Sequence, residues 1–334
     1  MRSNMVCPTQ SDVFIYHDET TLAERTNLKG HVFLIVPNSL SVDKDSAQRS
    51  LDLCRPPDCE SISPLNLMHQ EIMKVRSKYD AFHKFHFSRI AGKKWNNKNN
   101  AERDALETLI DSLRNRKLAR FNEPLHCKLA IIFYLSTTLD LYGGNRTERQ
   151  YRYYETTLRI LLKGSLHYLY DNNNKVKVHK IISDGSPYHR ELNYDRIVKP
   201  LLADGSMKEY AQVSPNTEIV HLISNHKRYD EDSVEFKHCT MLQLADLVLG
   251  SVRYTETSLK LTAIPPTGTL VENKKAIFSY PIKQMLREWR RDEHSRRCNY
   301  YKSISVTDAS LRNDKWDFKP AKRLFSGRTL AHYV

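Results

Sequence analysis

The chain has 334 residues, 40% of them hydrophobic, and 52 Lys and Arg against 39 Asp and Glu give it a formal net charge of +13. No apolar run approaches the roughly 20 residues of a membrane-spanning helix, and the polar stretch 1–10 lacks the apolar core of a secretory signal; the expectation is a cytoplasmic protein with no membrane segment. With 18 Tyr, 11 Phe and 3 Trp the composition supplies a core and excludes extensive disorder, while the basic excess points to a polyanionic partner.

Taken in chain order, Val13 to Tyr16 is β-branched and aromatic and predicts a strand that ends at His17-Asp18-Glu19. His31 to Val36 predicts a second strand, stopped by Pro37 and paired with the first as a hairpin. Residues 40–125 read as a largely helical insertion, with helices at Leu65 to Tyr79 and Ala101 to Leu118. Between them lie an alternating patch at Lys84 to Ser88 and a basic Asn-rich loop. Lys128 to Leu135 is a near-continuous apolar run, the signature of a strand covered on both faces. Thr147 to Tyr170 predicts a long amphipathic helix, and Val176 to Ser183 a strand that delivers Asp184. Residues 189–203 look helical, Glu218 to Ser224 strand-like, and Thr240 to Tyr254 forms an apolar helix carrying Gln243 and Asp246.

Strands alternating with helices predict an α/β protein with a mixed sheet flanked by helices. The main domain spans 12–254, and 255–334 forms a basic extension packed on it. The six cysteines include no C-x-x-C pair, so free thiols are expected in a reducing compartment and no zinc site is indicated.

Three acids from distant elements carry the functional expectation: Asp18, with Glu19 beside it, then Asp184 and Asp246. Asp246 sits among Leu242, Leu244, Ala245, Leu247, Val248 and Leu249. Taking its carboxylate out of water costs several kcal/mol without a compensating partner. A divalent cation is one such partner; a turn or a salt bridge is the alternative at each position. Phosphodiester hydrolysis uses two ions held by carboxylates, and Mg²⁺ or Mn²⁺ prefers oxygen ligands. Gln243, His17 and His86 are supporting candidates. Two basic segments each contain a Trp, suited to phosphate contact and base stacking. One holds Lys93 and Lys94, the other Arg290 and Arg291.

The order of elements is that of RNase H, and the motifs resemble the RNase H-like group catalogued as domain of unknown function 3800. The resemblance rests on Tyr16-His17-Asp18-Glu19-Thr20, Phe85-His86-Phe87-Ser88, Ile182-Ser183-Asp184, and Leu242-Gln243-Leu244-Ala245-Asp246 with Gly250. It covers roughly residues 12 to 254. It departs at Thr20 and Thr21, where the group has Ser-Gly, and at Lys84, where an acid often stands. The resemblance implies a metal-dependent nuclease site at Asp18, Glu19, Asp184 and Asp246, acting on DNA or RNA, with a protein partner in a defence or mobile-element complex as a further expectation. A fourth acid from the helix before the fourth strand has Glu155 and Glu148 as candidates. The alternative is a non-catalytic nucleic-acid-binding or adaptor subunit retaining the same fold.

Overall fold

The computed structural model describes residues 12–23, 28–38, 63–79, 83–91, 100–116, 120–121, 124–135, 145, 148, 156–157, 161–170, 176–184, 211–257, 270–292, 298–312 and 315–320. Its centre is a mixed sheet of seven strands: β1 (Asp12–Ala23), β2 (Leu28–Pro37), β3 (Lys128–Leu135), β4 (Val176–Asp184), β5 (Ala211–Leu222), β6 (Ile304–Arg312) and β7 (Lys315–Pro320). Their spatial order is β5-β4-β1-β2-β3-β6-β7. β1, β2 and β3 run antiparallel to their neighbours in turn, β4 is parallel to β1 and to β5, and β6 is parallel to β3. The protein is therefore α/β with a mixed sheet flanked by helices.

The central strands read as apolar runs because they are covered on both sides. Every residue from Val13 to His17 and from Gly30 to Pro37 is buried, as expected where two layers enclose a sheet. One face, carrying Phe14, Tyr16, Val32, Leu34 and Val36, packs against helices α1 (Pro64–Ser77), α2 (Ala101–Ser112), α3 (Val234–Thr257) and α4 (Leu270–Asp292) in one continuous core. The opposite face carries Ile15, Phe33, Ile35 and Ile132, also buried. A π-helical turn at Leu161–Leu166 and a short helix at His167–Leu169 contribute buried Leu161, Leu166 and Leu169.

Several boundaries differ from the sequence expectation. β1 does not stop at Asp18 but continues to Ala23, because Thr20 and Thr21 pair with Gly30 and Lys29 of β2. These β-branched threonines, standing where the resemblance has Ser-Gly, suit a prolonged strand. The patch 84–88 forms no strand: residues 83–86 take no regular structure and Phe87–Ala91 turns into a 3-10 helix. The helix expected over Thr147 to Tyr170 is, in its described part, interrupted by the π turn, and the helix expected over 189–203 lies outside the described residues. The two strands after residue 303 were not foreseen; they widen the sheet beyond β3. Cys127, Cys239 and Cys298 are free and buried, while Cys7, Cys54 and Cys59 lie outside the described residues. Among the described residues no helix is long and apolar enough to cross a membrane.

Candidate active site

The sheet register brings the first two acids together. The parallel pairing of β1 with β4 runs through Tyr16↔Ile182 and His17↔Ser183. One step further sets Asp184, the last residue of β4, beside Asp18 on a strand spacing of about 4.8 Å. Side chains alternate along a strand, so Asp18 shares the face of Tyr16 and Val32, the face on which α3 lies. Asp246 comes down from that helix. Burial, then the carboxylates of Asp246 and Asp184, push the Asp18 carboxyl well above its ordinary value. The amide of Glu19 donates to Asp18 Oδ1 at 2.9 Å and acts the other way. The charges that act on Asp18 most strongly are thus all carboxylates. Each acid disfavours ionisation of the next unless a cation joins them.

A set of hydrogen bonds holds the acids in place. Ser224, just past β5, donates to Asp184 twice, from its amide at 3.2 Å and from Oγ at 3.0 Å. Gln243 Nε2 donates to the Ser224 carbonyl at 3.3 Å and lies 3.1 Å from His226 Nδ1. Its Oε1 accepts from the Phe85 amide at 3.2 Å and from the Arg76 guanidinium at 2.9 Å. Gln243 therefore ties the α3 end of the site to Asp184 on one side and to the 83–87 segment on the other. Arg76 is fully buried and lies over the rings of Phe85 and Phe236; burial lowers its pKa to about 10.

Asp246 meets the same segment. Its Oδ2 accepts from the Phe87 amide at 2.8 Å and pairs with His86 Nδ1 at 3.0 Å. Oδ1 takes no hydrogen bond among the described residues, as neither does Oδ2 of Asp18. A Cβ on Gly250, one turn after Asp246, would lie 2.1 Å from Phe87 Cγ. Gly250 is thus the gap into which the Phe87 ring fits.

The full burial expected for Asp246 is not found; Asp246, like Asp18, is half-buried. The Asp246 side chain is 30% exposed, because its turn of α3 faces the site rather than the apolar core. Its ion-pair partner is a half-exposed histidine. Glu19 and His17 point to the opposite face of the sheet, as alternation requires, and gather around His31 there. Glu19 reaches Asp18 through its amide rather than its carboxylate.

The nucleic-acid candidates divide. Arg290 and Arg291 lie on the last turn of α4, but Trp289 between Glu288 and Arg290 is 3% exposed and packs in the core. It is unavailable for the base stacking expected from its segment, a correction that follows from the apolar stripe of α4, where Ile282, Met285, Leu286 and Trp289 recur at helical spacing. Lys93 and Lys94 lie outside the described residues, as does Glu155. Glu148 exchanges hydrogen bonds with Asn145.

Ser224, Arg76 and His31 were missed as site-associated residues. The spacing of Gln243 and Asp246 was the only signal that a second segment docks on that helix face. In chemical terms, carboxylates from two strands and a helix that act on one another are of the type that holds a hard cation through oxygen ligands, although among the described residues their oxygens do not form a three-ligand group within 4.8 Å. No protein-family model, curated protein or solved structure matches the chain.

Proposed function

We propose that the chain is a nuclease of RNase H-like fold, of the kind catalogued as domain of unknown function 3800, that hydrolyses nucleic-acid phosphodiester bonds with Mg²⁺ or Mn²⁺. What supports the fold assignment is the strand order β5-β4-β1-β2-β3 with only β2 and β3 antiparallel to their predecessors, followed by a helix across the first and fourth strands. The observation that carries the function is the placement of three carboxylates, Asp18 and Asp184 on adjoining strands and Asp246 on the helix across them, near enough that Asp246 and Asp184 both act on Asp18.

The donor set suits hard cations: carboxylates from three elements, with oxygen atoms on Asp18 and Asp246 unengaged among the described residues. Asp18, Asp184 and Asp246 would hold the ions, which when bound supply an activated water and stabilise the leaving oxygen. The chain's own contribution is alignment. Ser224 orients Asp184, the Phe87 amide orients Asp246, and Gln243 fixes both supports relative to each other. His86, half exposed beside Asp246, stands where it can donate a proton to an incoming phosphate oxygen. Arg290 and Arg291 on the last turn of α4 would help to hold the backbone, with Lys93 and Lys94 as further candidates from the sequence, in keeping with the net charge of +13.

A non-catalytic nucleic-acid-binding or adaptor role is favoured by a different observation. Oδ2 of Asp246 already anchors Phe87 and His86, so that residue has a structural use without any ion. The two functions separate in one experiment, a Mn²⁺-dependent cleavage assay on RNA, DNA and hybrid substrates beside calorimetric Mn²⁺ titration. The nuclease predicts that Asp184→Asn and Asp246→Asn each abolish cleavage, by at least roughly a hundredfold, in folded protein. Unchanged activity in both variants ends the proposal, and nucleic-acid binding without turnover at any metal concentration favours the adaptor.

A further inference from the structure

The segment that docks on Asp246 also carries cations. His83 Nε2 lies 2.7 Å from Oε1 of the buried Glu102, Phe85 and Phe87 give their amides to Gln243 and Asp246, and Arg89 Nη1 donates to the Lys84 carbonyl at 3.1 Å. Residues 83–89 are thus tied down along their whole length. Lys84 is half-buried on this segment and Arg89 is exposed. Half-buried Lys275 reaches over from α4, its Nζ 5.5 Å from the centre of the Phe87 ring.

None of these three cations meets a carboxylate among the described residues. Elsewhere Lys74, Arg103, Arg114, Arg120, Lys177 and Lys180 each do. The acid next to the three cations, Asp246, is already engaged by His86 and the Phe87 amide. Lys84 stands at the Asp184 end of the site: burial pushes the Cys239 thiol up, and the charges that act on it include both Lys84 and Asp184. Cations without counter-ions thus rim a cluster whose own charges are carboxylates. Those carboxylates repel a polyanion, and a positive rim beside them is what lets one approach.

We propose that Lys84, Arg89 and Lys275 form a strip that binds the sugar–phosphate backbone of a nucleic-acid strand and leads it past Asp246. The strip rests on nucleic acid being the substrate. Arg89 spends Nη1 on the Lys84 carbonyl and keeps the donors of its other nitrogens for a phosphate. Lys84 and Lys275 act as point charges on neighbouring phosphates. Such contacts release counterions and fix the position of the strand without reading its sequence. Because residues 86 and 87 of the same segment touch Asp246, a strand held here is held in register with the carboxylates. The strip is a surface of its own: Lys275 precedes Arg290 by fifteen residues of α4, about 22 Å along a helix.

The test uses the full chain carrying Asp184→Asn, so that no turnover intervenes, and short fluorescein-labelled single strands of DNA and of RNA. Binding is followed by fluorescence anisotropy over a range of KCl concentrations. Lys84→Gln, Arg89→Gln and Lys275→Gln should each weaken binding several-fold, alike for every sequence. Each should also flatten the plot of log affinity against log salt by about 0.7, a change that a merely structural role would not produce. Arg89 is exposed, so its variant reports even if one of the others folds poorly. An unchanged salt slope in the triple variant at unchanged melting temperature overturns the strip. So does a loss confined to Arg290→Gln and Arg291→Gln, which would move the strand to the far end of α4. The nuclease stands or falls separately: binding that depends on the strip, without Mn²⁺-dependent cleavage by the unsubstituted chain, keeps the strip and makes the protein an adaptor.

Discussion

Asp18 is the residue at which stability and function oppose each other. Its carboxyl is held above its ordinary pKa first by burial and then by Asp246 and Asp184, so the folded protein binds its proton more tightly than the unfolded chain does. Stability from this group is therefore complete below the unfolded pKa near 4 and is lost as pH rises through the folded value. Asp18→Asn removes that loss. In EDTA at pH 7.5 the variant should melt several degrees above the wild type, at about 2 °C per kcal/mol for a large domain. The difference should shrink toward zero near pH 4. Mn²⁺ should raise the wild-type melting temperature, by supplying the missing positive charge, and leave the variant's almost unchanged. Calorimetric melts across pH, with and without Mn²⁺, check both; a destabilised Asp18→Asn protein at pH 7.5 would show instead that contacts of the ionised carboxylate, such as the bond from the Glu19 amide, outweigh its burial and repulsion.

At the level of elements, the decisive contact is between a helix and the irregular segment 83–87 that leads into the 3-10 helix. Gln243, Asp246 and Gly250 sit at i, i+3 and i+7 on α3, one stripe of the helix. Phe85 and Phe87, two apart at the entry to the 3-10 helix, match that stripe with their two amides and one ring. These contacts fasten the 83–87 segment beside the carboxylates. Gly250→Ala inserts a Cβ where Phe87 Cγ lies 2.1 Å away, so the ring must leave and its amide with it. The cost is expected at about 1–3 kcal/mol, as for overpacked cores, read by urea denaturation. Mn²⁺ affinity should fall as well, because Asp246 loses the donor that orients it. Loss of stability with full Mn²⁺ affinity would confine Phe87 to packing.

For the whole molecule, the chain beyond α3 completes the same sheet. β6 pairs with the outer edge of β3 from Leu129↔Ile304 to Phe133↔Asp308, and α4 places Phe278, Ile282, Met285 and Trp289 in the core shared with α3. A chain ended after residue 257 would expose both that core surface and an unpaired strand edge, the usual template for aggregation. It should lose cooperative unfolding and partition into the insoluble fraction, which a denaturant melt of any soluble material would check. A cooperative, soluble 1–257 protein would show instead that the helices and five strands suffice alone.

Much of this arrangement was legible from local pattern. The apolar runs at 13–16, 31–36 and 128–135, the strand ending in Asp184 and the helix bearing Asp246 all appear in the structure, because covering two faces of a sheet or one stripe of a helix leaves a periodic trace in the residues themselves. The identity of Asp18, Asp184 and Asp246 as polar exceptions within those patterns was equally visible. What the chain's local pattern could not supply was which side each side chain takes once strands pair. Register alone sends Asp18 to one face of β1 and His17 and Glu19 to the other, and only tertiary packing buries Trp289, exposes Asp246 and brings Ser224, Arg76 and His31 to their partners. These depend on contacts between residues 14 to 167 positions apart, and no local period encodes a distance of that kind.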